Sequence, residues 1–191
     1  REVYANTFPG RETTMNDFLE LAKTRQTCRE FADRKVEHDK LVACAEAARL
    51  APSGCNAQPW SFVVVESPEL VARVAECIAM NGMNPYAAQA KAFFVILEEH
   101  AKLMPQIASM LDSQYFAKGD LGAAAAYFCL EAASQGLGTC QFGIYDRPKM
   151  GQILGIPEHM QYDAVIGVGY PAREDIRNKQ RKPLDQVARF V

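Results

Sequence analysis

The chain has 191 residues, of which 49% are hydrophobic and 23% charged, and its net charge at pH 7 is −2. This length suits one domain with one core, and a charge so near neutrality gives no reason to expect nucleic acid or an anionic membrane as a partner. The longest apolar run, residues 121–130, is about half of the roughly 20 residues that a membrane-spanning helix needs. We therefore expect neither a nucleic-acid-binding nor a membrane protein.

Residues 1–14 have no periodic apolar pattern, and we expect a loose arm or a vector-derived remnant there, with one domain over residues 15–191. Within that domain, apolar residues at helical spacing and helix-bounding prolines predict helices over 16–24, 38–51, 68–80, 120–135 and 147–154. Runs rich in β-branched residues predict buried strands over 61–66, 92–98 and 164–169. The pattern is that of a helix-rich α+β protein.

The predicted helix over 120–135 is rich in alanine and apolar on nearly every side, and Gly136 stands where a C-terminal cap belongs. Its small side chains allow close packing on several sides. A helix of this kind in so small a protein indicates a subunit interface as well as a core.

Cysteine and histidine positions do not support a metal site. No two of the six cysteines form a CxxC pair, and the three histidines are far apart in the chain. Several cysteines lie inside apolar helical patterns, where free thiols behave as small buried hydrophobes. Reduced thiols are typical of the cytoplasm, which is the location we expect.

Two glycine-containing stretches resemble dinucleotide fingerprints without the required context. GVGYPA at 167–172 follows a strand, but only about twenty residues remain after it, too few for the second half of a βαβ unit. GLGTCQFG at 136–143 follows a helix rather than a strand. A Rossmann-type site is therefore excluded.

Three polar segments remain as candidates for ligand binding. Arg25, Thr27 and Arg29 could converge on one anion if the chain turns there as an irregular helix end, or they could form a solvated basic patch. Near the C-terminus, residues 179–182 offer a second phosphate clamp or only a basic tail. Residues 53–56 combine a glycine with polar side chains that could lie against a ligand, or they form a helix-ending turn that anchors Trp60.

Together these segments resemble the FMN-dependent nitroreductase family, which also includes flavin reductases, iodotyrosine deiodinase and a flavin-cleaving branch. The family motif R-x-[ST]-x-R-x-F occurs at 25–31, P-S-x-x-N-x-Q-P-W at 52–60 and A-x-x-x-G-L-G-T-C at 132–140. The resemblance extends from about residue 16 to 189. It implies a central, mostly antiparallel sheet surrounded by helices, in an intertwined homodimer whose FMN groups are held at the interface by both chains.

The resemblance also assigns roles to residues of this chain. The FMN phosphate would be bound by Arg25 and Thr27, with Lys179 and Arg181 from the C-terminal tail. Gln26, between the first two, would also belong to the cofactor-binding residues. Guanidinium and ammonium groups suit this role because a dianion is best bound by charged donors. Arg29 would lie beside flavin N1 and O2, where a fixed cation stabilises the negative charge of the reduced ring.

The resemblance places other residues around the flavin ring. Pro52, Ser53 and Gly54 would lie against the isoalloxazine, and Asn56 would help to fix their loop. Asn84 would contact the pyrimidine edge. Backbone amides of residues 141–144, including Gln141 and Gly143, would lie near N5 and O4. Many relatives have Trp or Pro where this chain has Gln141, so the local environment of the ring differs.

The implied activity is a ping-pong reaction in which NAD(P)H reduces flavin N5 and a nitroaromatic or quinone then accepts the hydride. The cofactor carries this chemistry, so we assign no catalytic residue. The alternatives are a specialised reaction, either reductive dehalogenation or flavin cleavage, and a non-catalytic FMN-binding redox sensor. Residues 100–118, comparable to the deiodinase lid, are predicted to form a short helix and a loop with no evident clamp for an amino acid.

Overall fold

Four strands form one antiparallel sheet in the computed structural model, which describes residues 16–112 and 114–191. The sheet order is β1-β2-β4-β3. The strands are β1 (Trp60–Val65), β2 (Ala92–Glu98), β3 (Gly138–Phe142) and β4 (Gln161–Gly169). Val95 of β2 pairs with Val63 on one side and with Val165 on the other, so these β-branched residues line up across the sheet.

The described part of the chain also contains seven α-helices, which cover the sheet. They are α1 (Asn16–Thr24), α2 (His38–Arg49), α3 (Pro68–Ile78), α4 (Pro105–Ala108), α5 (Ala117–Ser134), α6 (Arg147–Leu154) and α7 (Leu184–Val187). None of the helices described is long and apolar enough to cross a membrane. The expectation for residues 1–14 lies outside the described part of the chain.

Both faces of the sheet are covered, which explains why β2 is an unbroken apolar run. Phe93 and Val95 enter a core shared with α3 and α6, whereas Phe94 and Ile96 enter a second core shared with α2 and α5. All four side chains are fully buried. Because successive side chains of a strand point to opposite faces of the sheet, β2 supplies residues to both cores.

The predicted elements agree closely with the structure. The ranges predicted for α1, α6 and β2 match, and α5 begins three residues before the prediction. The predicted α+β sheet with surrounding helices is confirmed. Strand β3 was missed because it is only five residues long, begins with Gly138 and lies at the sheet edge, where no apolar run is required.

Candidate functional site

The segment that follows α1 runs beside β3 instead of continuing as a helix. α1 ends at Thr24, Thr27 forms a bridge with Thr139, and the Cys28 amide donates to the Thr139 carbonyl at 2.8 Å. The Arg25 amide still donates to the Leu21 carbonyl at 2.8 Å, and the chain then leaves the helix to pair with β3. Pairing with β3 sends alternate side chains to one side, because side chains of paired extended backbone alternate in direction.

Gly138 permits this close pairing. A Cβ atom on Gly138 would lie 2.7 Å from the Cβ and 2.8 Å from the Sγ of Cys28, which is closer than van der Waals contact allows. Cys28 is itself buried. The third sequence motif thus places its glycine where the first motif approaches it, and the two motifs form one structural unit.

A cavity of about 600 Å³ lies between this unit and α5. It brings together four predicted site residues, which are Arg25, Thr27, Arg29 and Gln141. Its α5 wall is formed by small or apolar side chains: Gly122, Ala126, Cys129 and Leu130. A concave space of this size, with an apolar wall and a few polar groups at one side, is typical of a small-molecule or cofactor site.

Lys179 and Arg181 of the C-terminal tail do not line the cavity, but Lys179 lies against the segment that carries Arg25. The Lys179 ammonium donates to the Ala22 carbonyl at 2.7 Å and also to the Arg25 carbonyl. Desolvation, followed by the nearby charges of Arg25 and Arg181, lowers the pKa of Lys179. The structure thus brings Lys179, with Arg181 nearby, to the segment after α1, although both are more than 150 positions away from Arg25 in the sequence.

The cavity arginines have no carboxylate partners among the described residues. The arginine salt bridges found there use Arg34, Arg49, Arg147 and Arg173. Arg25 and Arg29 are in none of them. Cations held close together without carboxylates repel one another, so this arrangement favours binding of an anion.

Gln26 points away from this cavity and anchors the tail. Its side-chain nitrogen donates to the Asp175 carbonyl at 2.8 Å, and its oxygen accepts from the backbone and side chain of Arg177 at 3.1 and 3.2 Å. The Arg177 guanidinium also donates to the Thr27 carbonyl. Gln26 and Arg177 line a second cavity of about 330 Å³. Sequence reasoning missed Arg177, which belongs to no motif.

The loop over residues 52–58 does not line either cavity in its own chain. The Gly54 amide donates to the Asp120 carboxylate at 3.1 Å, and the Ser53 hydroxyl accepts from the Gln58 amide at 3.0 Å. Cys55, Asn56 and Gln58 have positive φ angles, which makes the turn compact. Asn56 contributes through its backbone, whereas Asp120 is an anchor that the sequence did not reveal.

Asn84 is linked to Arg29 through Tyr86. Asn84 has φ of 48°, and its side-chain oxygen accepts a hydrogen bond of 2.8 Å from the Tyr86 hydroxyl. The Arg29 guanidinium carbon lies 5.9 Å from the centre of the Tyr86 ring. Asn84 does not line either cavity, so its connection to the predicted ring site runs through this tyrosine.

The β3 end of the site is open. Gln141 is exposed, and its side-chain nitrogen lies 3.8 Å from the Cys129 sulfur. A Cβ at Gly143 would contact nothing within 4 Å, so the backbone there is accessible. Burial raises the pKa of the Cys129 thiol and of the Cys28 thiol. Both cysteines are therefore neutral at pH 7 and are poor nucleophiles.

Comparisons with known proteins identify the family of this chain. The model described as "Nitroreductase family" matches residues 22–170. The chain therefore belongs to the nitroreductase family, as its motifs predicted, and is an oxidoreductase. It is 30% identical over 164 residues to the "Putative NADH dehydrogenase/NAD(P)H nitroreductase" of Archaeoglobus fulgidus, covering 84% of this chain and 88% of that protein.

Two further similarities bear on function and fold. The chain is 26% identical over 167 residues to the iodotyrosine deiodinase of Thermotoga neapolitana, covering 82% of this chain and 90% of that protein. A solved structure described as an FMN-dependent nitroreductase from Clostridium difficile R20291 gives a TM-score of 0.72 at 24% identity. That similarity covers 90% of this chain and 98% of that one. The latter comparison supports the fold.

Proposed function

We propose that this protein is an FMN-dependent NAD(P)H oxidoreductase that passes hydride through flavin N5 to nitroaromatic or quinone acceptors by a ping-pong mechanism. The observation that carries the proposal is an apolar-walled cavity lined by Arg25 and Arg29, which have no carboxylate partner among the described residues. Lys179 lies beside it and donates to the Arg25 carbonyl. A molecule with a dianionic phosphate and a flat apolar ring fits both features.

The phosphate of FMN fits the cationic end of the cavity. Arg25 offers a planar fork of donors, Thr27 a hydroxyl, and Lys179 and Arg181 two further charges. Charge-assisted hydrogen bonds of this type are about twice as strong as neutral ones. Gln26 would act indirectly, because its side chain holds the tail that carries the two basic residues.

The ring of FMN fits the rest of the cavity, between Arg29, Gln141 and the small side chains of α5. When bound, FMN supplies the hydride chemistry at N5. Arg29 would stabilise negative charge at the pyrimidine end, since it has no carboxylate partner among the residues described. The small residues Gly122 and Ala126 would let a flat ring lie close to the α5 backbone.

We propose a homodimer in which the second copy completes each site. Residues that line the cavity from α5 lie about 180–280° around the helix from Asp120, since successive residues are about 100° apart. The loop bound to Asp120 therefore lies on the opposite side of a helix about 10 Å thick from the cavity of its own chain. A loop that contacts FMN must come from a partner.

Exposed apolar surface supports this dimer. Phe18 and Leu19 of α1 are 64% and 55% exposed, and Tyr127 of α5 is 43% exposed. Gly122 and Ala126 are exposed beside them. These residues, on α1 and the alanine-rich α5, are the candidate interface. All six cysteines are free thiols, which fits the cytoplasmic location that we also propose.

Similarity to iodotyrosine deiodinases raises reductive dehalogenation as a second candidate. In this chain the segment before α5 presents apolar exposed residues, Met104, Met110 and Tyr115. The Lys118 ammonium forms ion pairs with Glu98 at 3.0 Å and Asp163 at 2.5 Å, so it is not free to bind the carboxylate of an amino-acid substrate. This surface suits a neutral aromatic acceptor better than an amino acid.

A visible spectrum of the purified protein, followed by anaerobic addition of NADH or NADPH, tests the proposal. Flavin bands that bleach and return when menadione or a nitrofuran is added would support it. Bands that bleach with only slow turnover would indicate a redox sensor, and rapid consumption of iodotyrosine would indicate the dehalogenase. Protein that stays colourless after incubation with FMN would refute flavin binding.

A pair of arginine variants makes the test specific to the site. Arg25→Ala should weaken FMN binding about ten- to hundredfold, because hydrogen bonds to charged groups contribute about 1.5–3 kcal/mol. Its affinity for riboflavin, which has no phosphate, should change much less. Arg49→Ala is the matched control, since Arg49 pairs with Glu46 on the exposed surface of α2. Equal losses in both variants would contradict the assignment.

A further inference from the structure

Tyr86 is a rigid aromatic platform beside the proposed flavin site. It belongs to a short 3-10 helix, Pro85–Gln89, and its ring packs on that of Phe142 with a centroid distance of 5.9 Å and an interplanar angle of 28°. Phe142 is only 3% exposed and is part of the core. The position of the Tyr86 ring is therefore fixed by the core of the protein.

Two residues predicted to contact the flavin depend on this platform. The Tyr86 hydroxyl donates to the Asn84 side-chain oxygen at 2.8 Å, and the Arg29 guanidinium lies over the Tyr86 ring at 5.9 Å. Arg29 comes from the segment after α1, and Asn84 from the loop before β2. Tyr86 thus links these two segments, because it contacts a residue of each.

The backbone at Asn84 needs such support. Asn84 is in the left-handed region, with φ of 48° and ψ of 46°, and the next residue is Pro85. Asparagine tolerates this region better than most residues, but a proline at the next position disfavours any helical backbone. A hydrogen bond that fixes the Asn84 side chain compensates part of this strain and leaves its amide nitrogen in a defined place.

We propose that Tyr86 is a positioning residue for the pyrimidine end of the flavin. Its hydroxyl orients Asn84, and its ring face holds the Arg29 guanidinium in place. This inference rests on the proposed function, because it presumes that the cavity binds FMN. Tyr86 itself contributes no acid, base or nucleophile, and it acts through Asn84 and Arg29.

Separate variants distinguish the two contacts. Tyr86→Phe keeps the ring and removes the hydroxyl, so Asn84 loses its partner and Arg29 does not. We expect the dissociation constant of FMN to rise roughly two- to tenfold, the range that corresponds to one neutral hydrogen bond. Tyr86→Leu also removes the ring face. In that variant we expect the flavin midpoint potential to become more negative, because Arg29 is no longer fixed near the reduced ring.

A double-mutant cycle shows whether the hydroxyl acts through Asn84. FMN binding is measured by quenching of flavin fluorescence on titration of the flavin-depleted full-length protein, for wild type, Tyr86→Phe, Asn84→Ala and the double variant. If the inference is correct, Tyr86→Phe has almost no effect once Asn84 is absent. Effects on affinity that simply add in the double variant would overturn it.

Tyr170→Phe is the matched control. The Tyr170 hydroxyl also donates to a side-chain oxygen, that of Glu37 at 2.6 Å, and the Arg34 guanidinium lies over its ring at 3.7 Å. This control should lose thermal stability without a change in FMN affinity or midpoint potential. A Tyr86→Phe variant that matches wild type in FMN affinity, flavin spectrum and potential would overturn the inference but leave the proposed function intact. Wild-type protein that does not bind FMN would overturn both.

Discussion

Substitution of Gly138 by alanine tests the structural unit on which the site depends. The added Cβ would lie 2.7 Å from the Cys28 Cβ, and neither atom belongs to a flexible side-chain end that could move aside. The backbone of the segment after α1 must therefore move away from β3. Overpacking of this kind costs about 1–3 kcal/mol, which corresponds to a fall in melting temperature of roughly 2–12 °C for a protein of this size.

The same displacement should weaken FMN binding, because Arg25, Thr27 and Arg29 are all carried by the segment that moves. Melting temperature is measured by circular dichroism, and FMN affinity by fluorescence titration. Cys28→Gly in the Gly138→Ala background removes the opposing Cβ and should restore both properties in part. Cys28→Ala should not, because it retains that atom.

Gly119→Ala is the control, since an alanine there contacts nothing within 4 Å and lies in α5. It should leave stability unchanged or raise it by up to about 1 kcal/mol through better helix propensity. If Gly138→Ala matched wild type in both measurements, the close approach of the two motifs would be refuted. If Cys28→Gly failed to restore any stability, the cause assigned to the loss would be wrong.

Substitutions at two other positions, Tyr170 and Asp120, test contacts of the site and its surroundings. Hydrogen bonds, of which that from Tyr170 has the largest effect, lower the pKa of Glu37 to about 2. The ionised carboxylate therefore stabilises the fold above its unfolded pKa of about 4.5, and this stabilisation is lost as the pH falls through 2. Tyr170→Phe should therefore be less resistant to urea than wild type at pH 7, and this difference should shrink between pH 4.5 and 2. Asp120→Ala should raise the FMN dissociation constant roughly tenfold, because the Gly54 amide loses a charged acceptor. Asp120→Asn, which retains an acceptor oxygen, should raise it less, and equal effects of the two variants would contradict that reason.

Most of the fold could be predicted because its elements have strong local patterns. Strand β2 is an apolar run from Ala92 to Leu97, and α6 begins with an N-cap aspartate, Asp146, followed by Pro148 in its first turn. These local patterns define both elements without reference to the rest of the chain. Strand β3 has no such pattern. Its sequence, GTCQF, forms a strand because it pairs with β4 and because Gly138 allows Cys28 to approach. Both partners are distant in the sequence.

The candidate site was predictable only where a motif carried it. Arg25, Thr27 and Arg29 lie in one motif, Gln141 directly follows another, and all four line one cavity. In contrast, Asp120, Arg177 and Tyr86 act through contacts that no short-range pattern reveals, since a tail arginine or a loop tyrosine resembles any other surface residue. Their roles follow from which side chains they contact, and those contacts require the folded chain.

The composition of α5 shows how one helix can serve several surfaces. A helix that only covers a core has one apolar stripe and one polar face. In α5 the buried residues Leu121, Ala124 and Phe128 face the core, and Gly122, Ala126 and Cys129 face the cavity. At its first turn, Asp120 holds the loop that begins at residue 52. The absence of a polar face, which made the helix unusual in the sequence, therefore suits an element that packs on the core, lines a cavity and anchors a loop.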